Sequence, residues 1–340
     1  MRGFLSAAAL ATLACMSACS SSSSDDGVAT NRSWAAMNGL ETTTVWFTFF
    51  DQKGGVWAAT NQGLQKWGTP KAQGLSGWDV VVPGGDVMAA DSDPTSDAMW
   101  VATNSALYRV AADGTATKAS DLDVAKGIRV GQTGGMAVGG DGRVFVVGVG
   151  FATLHVFTPS TNTWGKIDLD PQVAPTSVAL SRITRGPSGD IWTGLPLNLF
   201  RVAKGASTAT MVAVCGGKAE NCPTLSRSTD GKFYGEVKND ITNYHGVFRF
   251  DEATGKVGDE LARLPTEYVQ SNGAAVDTND TVYLSGRTTM DERADAALFV
   301  AKPGQAPTKI ASLPHRAWNW EVRNGRIVGG EAGSGVWELK

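Results

Sequence analysis

The sequence predicts an all-β protein: a seven-bladed β-propeller of four-stranded antiparallel blades, its ring closed by an N-terminal strand that pairs with the last blade. Three observations carry this expectation. One pattern recurs seven times: a polar turn with Asp or Gly, a strand bearing an aromatic residue, a short break and a second such strand. The equivalent positions Trp57, Trp100, Phe145, Trp192, Tyr234, Tyr283 and Val328 are separated by 43, 45, 47, 42, 49 and 45 residues. A period of about 45 is what a four-stranded blade and its turns require. Glycine is abundant, 41 of 340 residues, and Trp numbers 11, while no apolar stretch is long and periodic enough for an amphipathic helix.

The copies stand at Asp51–Trp67, Ser96–Val110, Gly140–Phe157, Pro187–Val202, Thr229–Phe250, Thr278–Val300 and Arg323–Leu339. Each has apolar residues on both faces of its strands, so one blade cannot hide them alone, whereas a closed ring buries both faces without caps. The innermost strand of each blade precedes its turn: Thr44–Phe50, Asp86–Ala90, Met136–Val138, Arg182–Arg185, Leu225–Arg227, Gly273–Val276 and Trp320–Val322. The aromatic strand is second. Gly63-Leu64, Ala106-Leu107 and Val247-Phe248 mark third strands, and the fourth is a variable edge. The last repeat reaches Lys340 directly after its third strand. Ser33–Glu41 precedes the first inner strand and has no blade of its own. It is expected to supply the missing outer strand of blade seven, removing an edge that could pair with another chain.

Residues 1–19 read as a signal segment. Arg2 supplies the positive start, and Phe4–Ala14 is an apolar run too short to span a bilayer. Met16-Ser17-Ala18-Cys19 follows, then the serines Ser20–Ser24. This resembles the lipobox of bacterial lipoproteins. The resemblance implies acylation at Cys19, with Cys15 as the competing position. With Ser20 rather than Asp after the cysteine, it also implies the outer membrane. The lipid would be the only membrane contact. Residues 20–32 are a polar, flexible tether and residues 33–340 the propeller. Cys215 and Cys222 frame CGGKAENC, a spacing that suits a small disulfide loop in an oxidising compartment. A metal site is the rival reading, but no further His or Cys lies nearby in the chain.

The formal net charge of −3 offers no electrostatic basis for binding nucleic acid or an anionic membrane surface. No nucleophile elbow, Walker loop or H-E-x-x-H occurs. No catalytic residue, metal or cofactor is therefore assigned. Of the histidines, His155 lies in a third-strand pattern and reads as structural, while His245 and His315 fall in loops.

The repeat D-x-x-G-x-[VI]-W-x-x-T-x-x-G-L resembles the two-component-regulator propeller repeat, through Asp51, Gly54, Trp57, Thr60, Gly63 and Leu64. The fourth copy, with Gly186, Gly189, Ile191 and Trp192, is more similar to streptogramin-lyase or NHL-type blades. Such motifs specify a turn and a packing aromatic, and imply architecture rather than function. The His and Glu arrangement of the lyases and the inward Glu, Asn and Asp set of lactonase-type propellers have no match here. The inner strands are apolar or small in blades one to three, and carry Arg182, Arg185 and Arg227 in blades four and five, which does not suit a cation.

Second-to-third-strand loops and the connections between blades share one face of a propeller. Long examples are Lys238–Gly246, Ser285–Ala296, the segment Cys215–Cys222, and the connection carrying His315, Arg316, Trp318 and Trp320. These are expected to cluster on one sector of one face, where long loops on a rigid scaffold carry binding. With Arg185 and Arg227 near the central channel, that sector would bind a protein partner or a small anionic ligand. Tyr244, His245, Arg293 and Trp318 would be rim contacts. The alternative is that the arginines pair with Asp277 or Glu321. The expected function is a non-catalytic binding or scaffolding propeller at the cell envelope. The competing readings are a propeller hydrolase or lyase and a structural component of a surface or export assembly.

Overall fold

A computed structural model describes residues 32–40, 43–68, 77–123, 128, 130, 135–147, 153–169, 182–195, 198–214, 222–239, 242–291, 296–313, 319–331 and 335–340. The described residues form seven four-stranded antiparallel sheets. In blade one the strands run, from the centre outward, Val45–Phe50, Val56–Thr60, Gly63–Trp67 and Trp78–Pro83. The inner strands of blades two to seven are Val87–Ser92, Met136–Val138, Thr184–Arg185, Thr224–Arg227, Gln270–Val276 and Asn319–Arg323. Neighbouring blades touch in chain order, and Val45–Phe50 touches Asn319–Arg323, so the ring is closed.

The closure is made as expected. Trp34–Met37 pairs antiparallel with Gly335–Leu339, Trp34 opposite Leu339 and Met37 opposite Val336. Arg32 adds a hydrogen bond from its guanidinium to the Leu339 carbonyl at 2.9 Å. Met37 and Leu40 are buried with Val328 and Val336 of blade seven and with Val45 and Val56 of blade one.

The repeat motif explains itself in blade one. The Asp51 carboxylate accepts the backbone N–H groups of Lys53 at 2.9 Å and Gly55 at 2.8 Å, which shapes the turn between the first two strands. Its other oxygen accepts the Trp57 indole N–H at 2.9 Å. The Thr60 hydroxyl donates to the Gly63 carbonyl at 2.7 Å and accepts the Gln62 N–H at 3.1 Å, closing the hairpin to the third strand. Blade two repeats the threonine device through Thr103. Its aspartate, Asp93, stands one residue farther from the tryptophan than in blade one. It is satisfied by Thr95 and Ser96, and the buried Trp100 indole N–H has no partner among the described residues.

The core lies between blades. Trp57 packs with Leu64, Val82, Val87 and Val101, which joins blade one to blade two. Trp100 packs with Val138, Val144 and Phe157, which joins blade two to blade three. Blades three and four approach so closely that the Gly140 N–H donates to the Gly189 carbonyl at 2.8 Å. A Cβ on Gly140 would sit 2.7 Å from the Gly189 Cα, so this contact requires glycine.

Candidate functional site

The inner strands enclose a central channel of about 1050 Å³. Its walls differ in chemistry. Blade one contributes Phe47 and Phe49, and blade seven contributes Trp320 and Glu321. Blades four and five contribute Arg182, Arg185, Ser226 and Arg227. The alanines of the remaining inner strands, Ala89 and Ala90 in blade two and Ala274 and Ala275 in blade six, leave the space open.

The two arginines expected to act together have different jobs. Arg185 is buried, and one guanidinium nitrogen donates to the Ser92 carbonyl at 3.1 Å and to the Val138 carbonyl at 2.8 Å. It ties blade four to blades two and three. Burial lowers its pKa from the usual arginine value, and the nearby Asp91 carboxylate opposes that shift. Arg227, by contrast, is exposed to the channel, and its guanidinium makes no hydrogen bond or ion pair among the described residues. Arg182 is also exposed and donates to the Ser226 hydroxyl at 3.1 Å. Neither of the acids weighed as partners claims these arginines by a hydrogen bond. Asp277 accepts the backbone N–H groups of Asn324 at 3.0 Å and Gly325 at 2.6 Å, stitching blade six to blade seven.

Glu321 and Tyr234 complete the polar part of the channel. Glu321 is half-buried as a residue, but its carboxyl is enclosed, and burial pushes its pKa up from 4.5 to about 7, with Arg182 and Arg323 pulling the other way. Burial likewise pushes the Tyr234 hydroxyl to about 12, against the pull of Arg182 and of hydrogen bonds with the Val276 backbone and Ser226. Glu236 accepts the Ser271 hydroxyl at 2.8 Å, and the Trp320 indole donates to the Ser285 hydroxyl at 3.0 Å.

Among the described residues, the structure does not bring Arg185 and Arg227 together with Tyr244 and His245. An inner strand runs from the connection between blades to the turn that precedes the aromatic strand. Its last residue therefore lies at the turn end of the channel, and Arg185 and Arg227 are such residues. Tyr244 and His245 begin a third strand, at the opposite end. Arg227 stands opposite Phe233 and Tyr244 opposite Asn239, so the length of the strand Phe233–Asn239 separates them. That is about 20 Å at the usual rise per residue. The half-buried Tyr244 gives its hydroxyl to Glu260. His245 is buried, with Nε2 at 3.4 Å from the Val269 carbonyl and Nδ1 without a partner among the described residues. Cys19, Cys215, Arg293 and Trp318 lie outside the described residues. Phe47 and Phe49 are channel residues that attention to the loops misses, and Glu321, expected only as a partner of the arginines, lines the channel itself. Their signal was present in the inner-strand sequences VWFTFF and NWEVR.

A second cavity of about 680 Å³ lies on the rim between blades four and six. Its cations are committed: Arg201 pairs with Asp190, and Lys232 and Arg249 pair with Asp280. Among the described residues no group of three His, Cys, Asp or Glu could hold a metal ion, and no helix is long and apolar enough to cross a membrane.

No family model and no curated protein matches the chain. Solved structures do. The extracellular domain of a hybrid two-component system from B. thetaiotaomicron is 13% identical over 90% of this chain, with a TM-score of 0.58. This chain spans only 39% of the length of that one. Virginiamycin B lyase from Staphylococcus aureus, crystallised with quinupristin, is 13% identical over 91% of this chain and 99% of its own, with a TM-score of 0.61. YCF48 bound to D1 peptide is 13% identical over 90% of this chain and 96% of its own, with a TM-score of 0.57. These neighbours are β-propellers with different roles, and at such identities the likeness concerns fold alone. By its seven closed blades and by these neighbours, the chain is a β-propeller.

Proposed function

We propose that the protein is an exported, lipid-anchored binding propeller that holds a small organic anion in its central channel and does not transform it. The observation that carries this reading is the Arg227 guanidinium, exposed in a channel of about 1050 Å³ and unpaired among the described residues. Arg182 lines the same channel, and its one hydrogen bond among the described residues is to the hydroxyl of Ser226, next to Arg227 in the chain. A cation held in a concave, protein-walled space keeps an anion-attracting field that water screens poorly. The volume admits a ligand of drug-like size.

Titration calorimetry on the full chain in detergent, with a panel of carboxylates and inorganic phosphate, tests the reading. Arg182→Gln with Arg227→Gln should abolish binding of every anion the wild type holds. Unchanged binding would overturn it.

The anchor is part of the proposal. Met16–Cys19 and the serines after it support acylation at Cys19 and an outer-membrane address, with a tether over residues 20–32. Export also fits a Cys215–Cys222 disulfide, a pairing supported by the bonded state of Cys222. Cys19→Ala should release the protein from the membrane fraction.

A further inference from the structure

Resting on that reading, we infer that the channel selects an aryl acid: a small organic anion with its acid group at Arg227 and Arg182 and an aromatic ring against Phe47 and Phe49. The ring order of the blades makes the case. Blade one neighbours blades two and seven, so in a ring of seven it faces blades four and five across the channel. The aromatic wall and the cationic wall are therefore opposed, not adjacent.

The aromatic wall is itself a stack. Phe49 lies nearly parallel to Trp57, with 6.2 Å between centroids and 11° between planes. Phe47 follows at 5.8 Å with a tilt of 33°. Phe47 and Phe49 are only half-buried, so the array ends at the channel with apolar ring surface in contact with water. A ring from a ligand would continue the stack and release that water. Inorganic phosphate or a sugar could use the arginines, but would lose hydration against the phenyl rings with no donor or acceptor in exchange. Ala90 and Ala275, on the flanks between the two walls, leave a slot that a flat molecule can bridge.

The test uses the full chain in detergent and four probes: phenylpropionate, cyclohexylpropionate, propionate and the uncharged phenylpropanol. Phenylpropionate should bind about tenfold more tightly than cyclohexylpropionate, the order expected of one good aromatic contact. Phe49→Leu keeps the wall apolar and should erase that ratio while leaving propionate unaffected. Arg227→Gln should weaken the three acids alike and leave phenylpropanol unchanged. Equal affinity for the phenyl and cyclohexyl acids, or a ratio that survives Phe49→Leu, removes the aryl preference and leaves the anion site standing. Failure of all three acids to bind, or indifference to Arg227→Gln, removes both.

Discussion

Glu252 of blade five accepts the indole N–H of Trp192 of blade four at 3.0 Å. In blade one the same need is met inside the blade, where Asp51 accepts from Trp57. Blade four has no aspartate at that place in its turn, and the neighbour's carboxylate fills in. The same carboxylate holds the Ser188 hydroxyl at 2.6 Å and the Ser188 N–H at 2.8 Å. A Cβ on Gly186 would lie 2.0 Å from it. Glu252→Ala should therefore leave a fully buried indole N–H unpaired and cost about 2–3 kcal/mol in urea unfolding. Paired with Trp192→Phe, the two losses should fall short of additive, the mark of a direct interaction.

The two channel arginines should separate cleanly on substitution. Arg185→Ala strips hydrogen bonds from the carbonyls of half-buried Ser92 and buried Val138, and should cost about 2–4 kcal/mol of stability. Arg227→Ala should stay within about 0.5 kcal/mol of wild type. Anion binding should show the converse for Arg227, with affinity lost at full stability. Thermal unfolding and calorimetry on the same preparations read both.

Glu321 makes the channel respond to pH. Its pKa rises from 4.5 to about 7 on folding, so between those values the native chain holds a proton that the unfolded chain has released. Its contribution to stability is present in full below 4.5 and is lost as pH rises through about 7. Protonation also removes a negative charge from the cavity shared with Arg182 and Arg227. Anion affinity should then be higher at pH 6 than at pH 8, roughly a unit either side of that value. Glu321→Gln should flatten both dependences, which chemical denaturation and calorimetry across that interval will show.

Removing the N-terminal strand should damage the whole ring. Deletion through Leu40 withdraws Met37 and Leu40 from the core and exposes the edge of Gly335–Leu339. Burying two such side chains is worth about 4 kcal/mol, and the bare strand edge invites pairing between molecules. Lower stability with concentration-dependent oligomers on size-exclusion chromatography is the expected result.

The architecture was readable because its signals are local or periodic. Asp51, Trp57, Thr60 and Gly63 recognise one another within a dozen residues, and the spacing of such groups counts the blades. The closing strand followed from the last repeat lacking an outer strand. The site was less readable because its parts meet only in three dimensions. Arg185 and Arg227 each end an inner strand before a turn, and nothing in the chain separates the clamp from the free cation. The difference lies in Ser92 and Val138, supplied to Arg185 by other blades. Tyr244 and His245, expected in the second-to-third-strand loop, begin the third strand instead, with His245 buried, while the inner strands end at the other side of the ring.

The pairing of Trp34 with Leu339 also sets a timetable. The first strand to emerge in synthesis has to wait, unpaired, for the last. Six blades can condense as their own segments arrive, but the seventh cannot exist until the entire propeller sequence has been made. Such long-range contacts are slow to form and leave apolar surface exposed meanwhile. A chain that stalls partway through synthesis would therefore carry an incomplete ring with its adhesive edges bare. That intermediate is what a chaperone or protease would meet first.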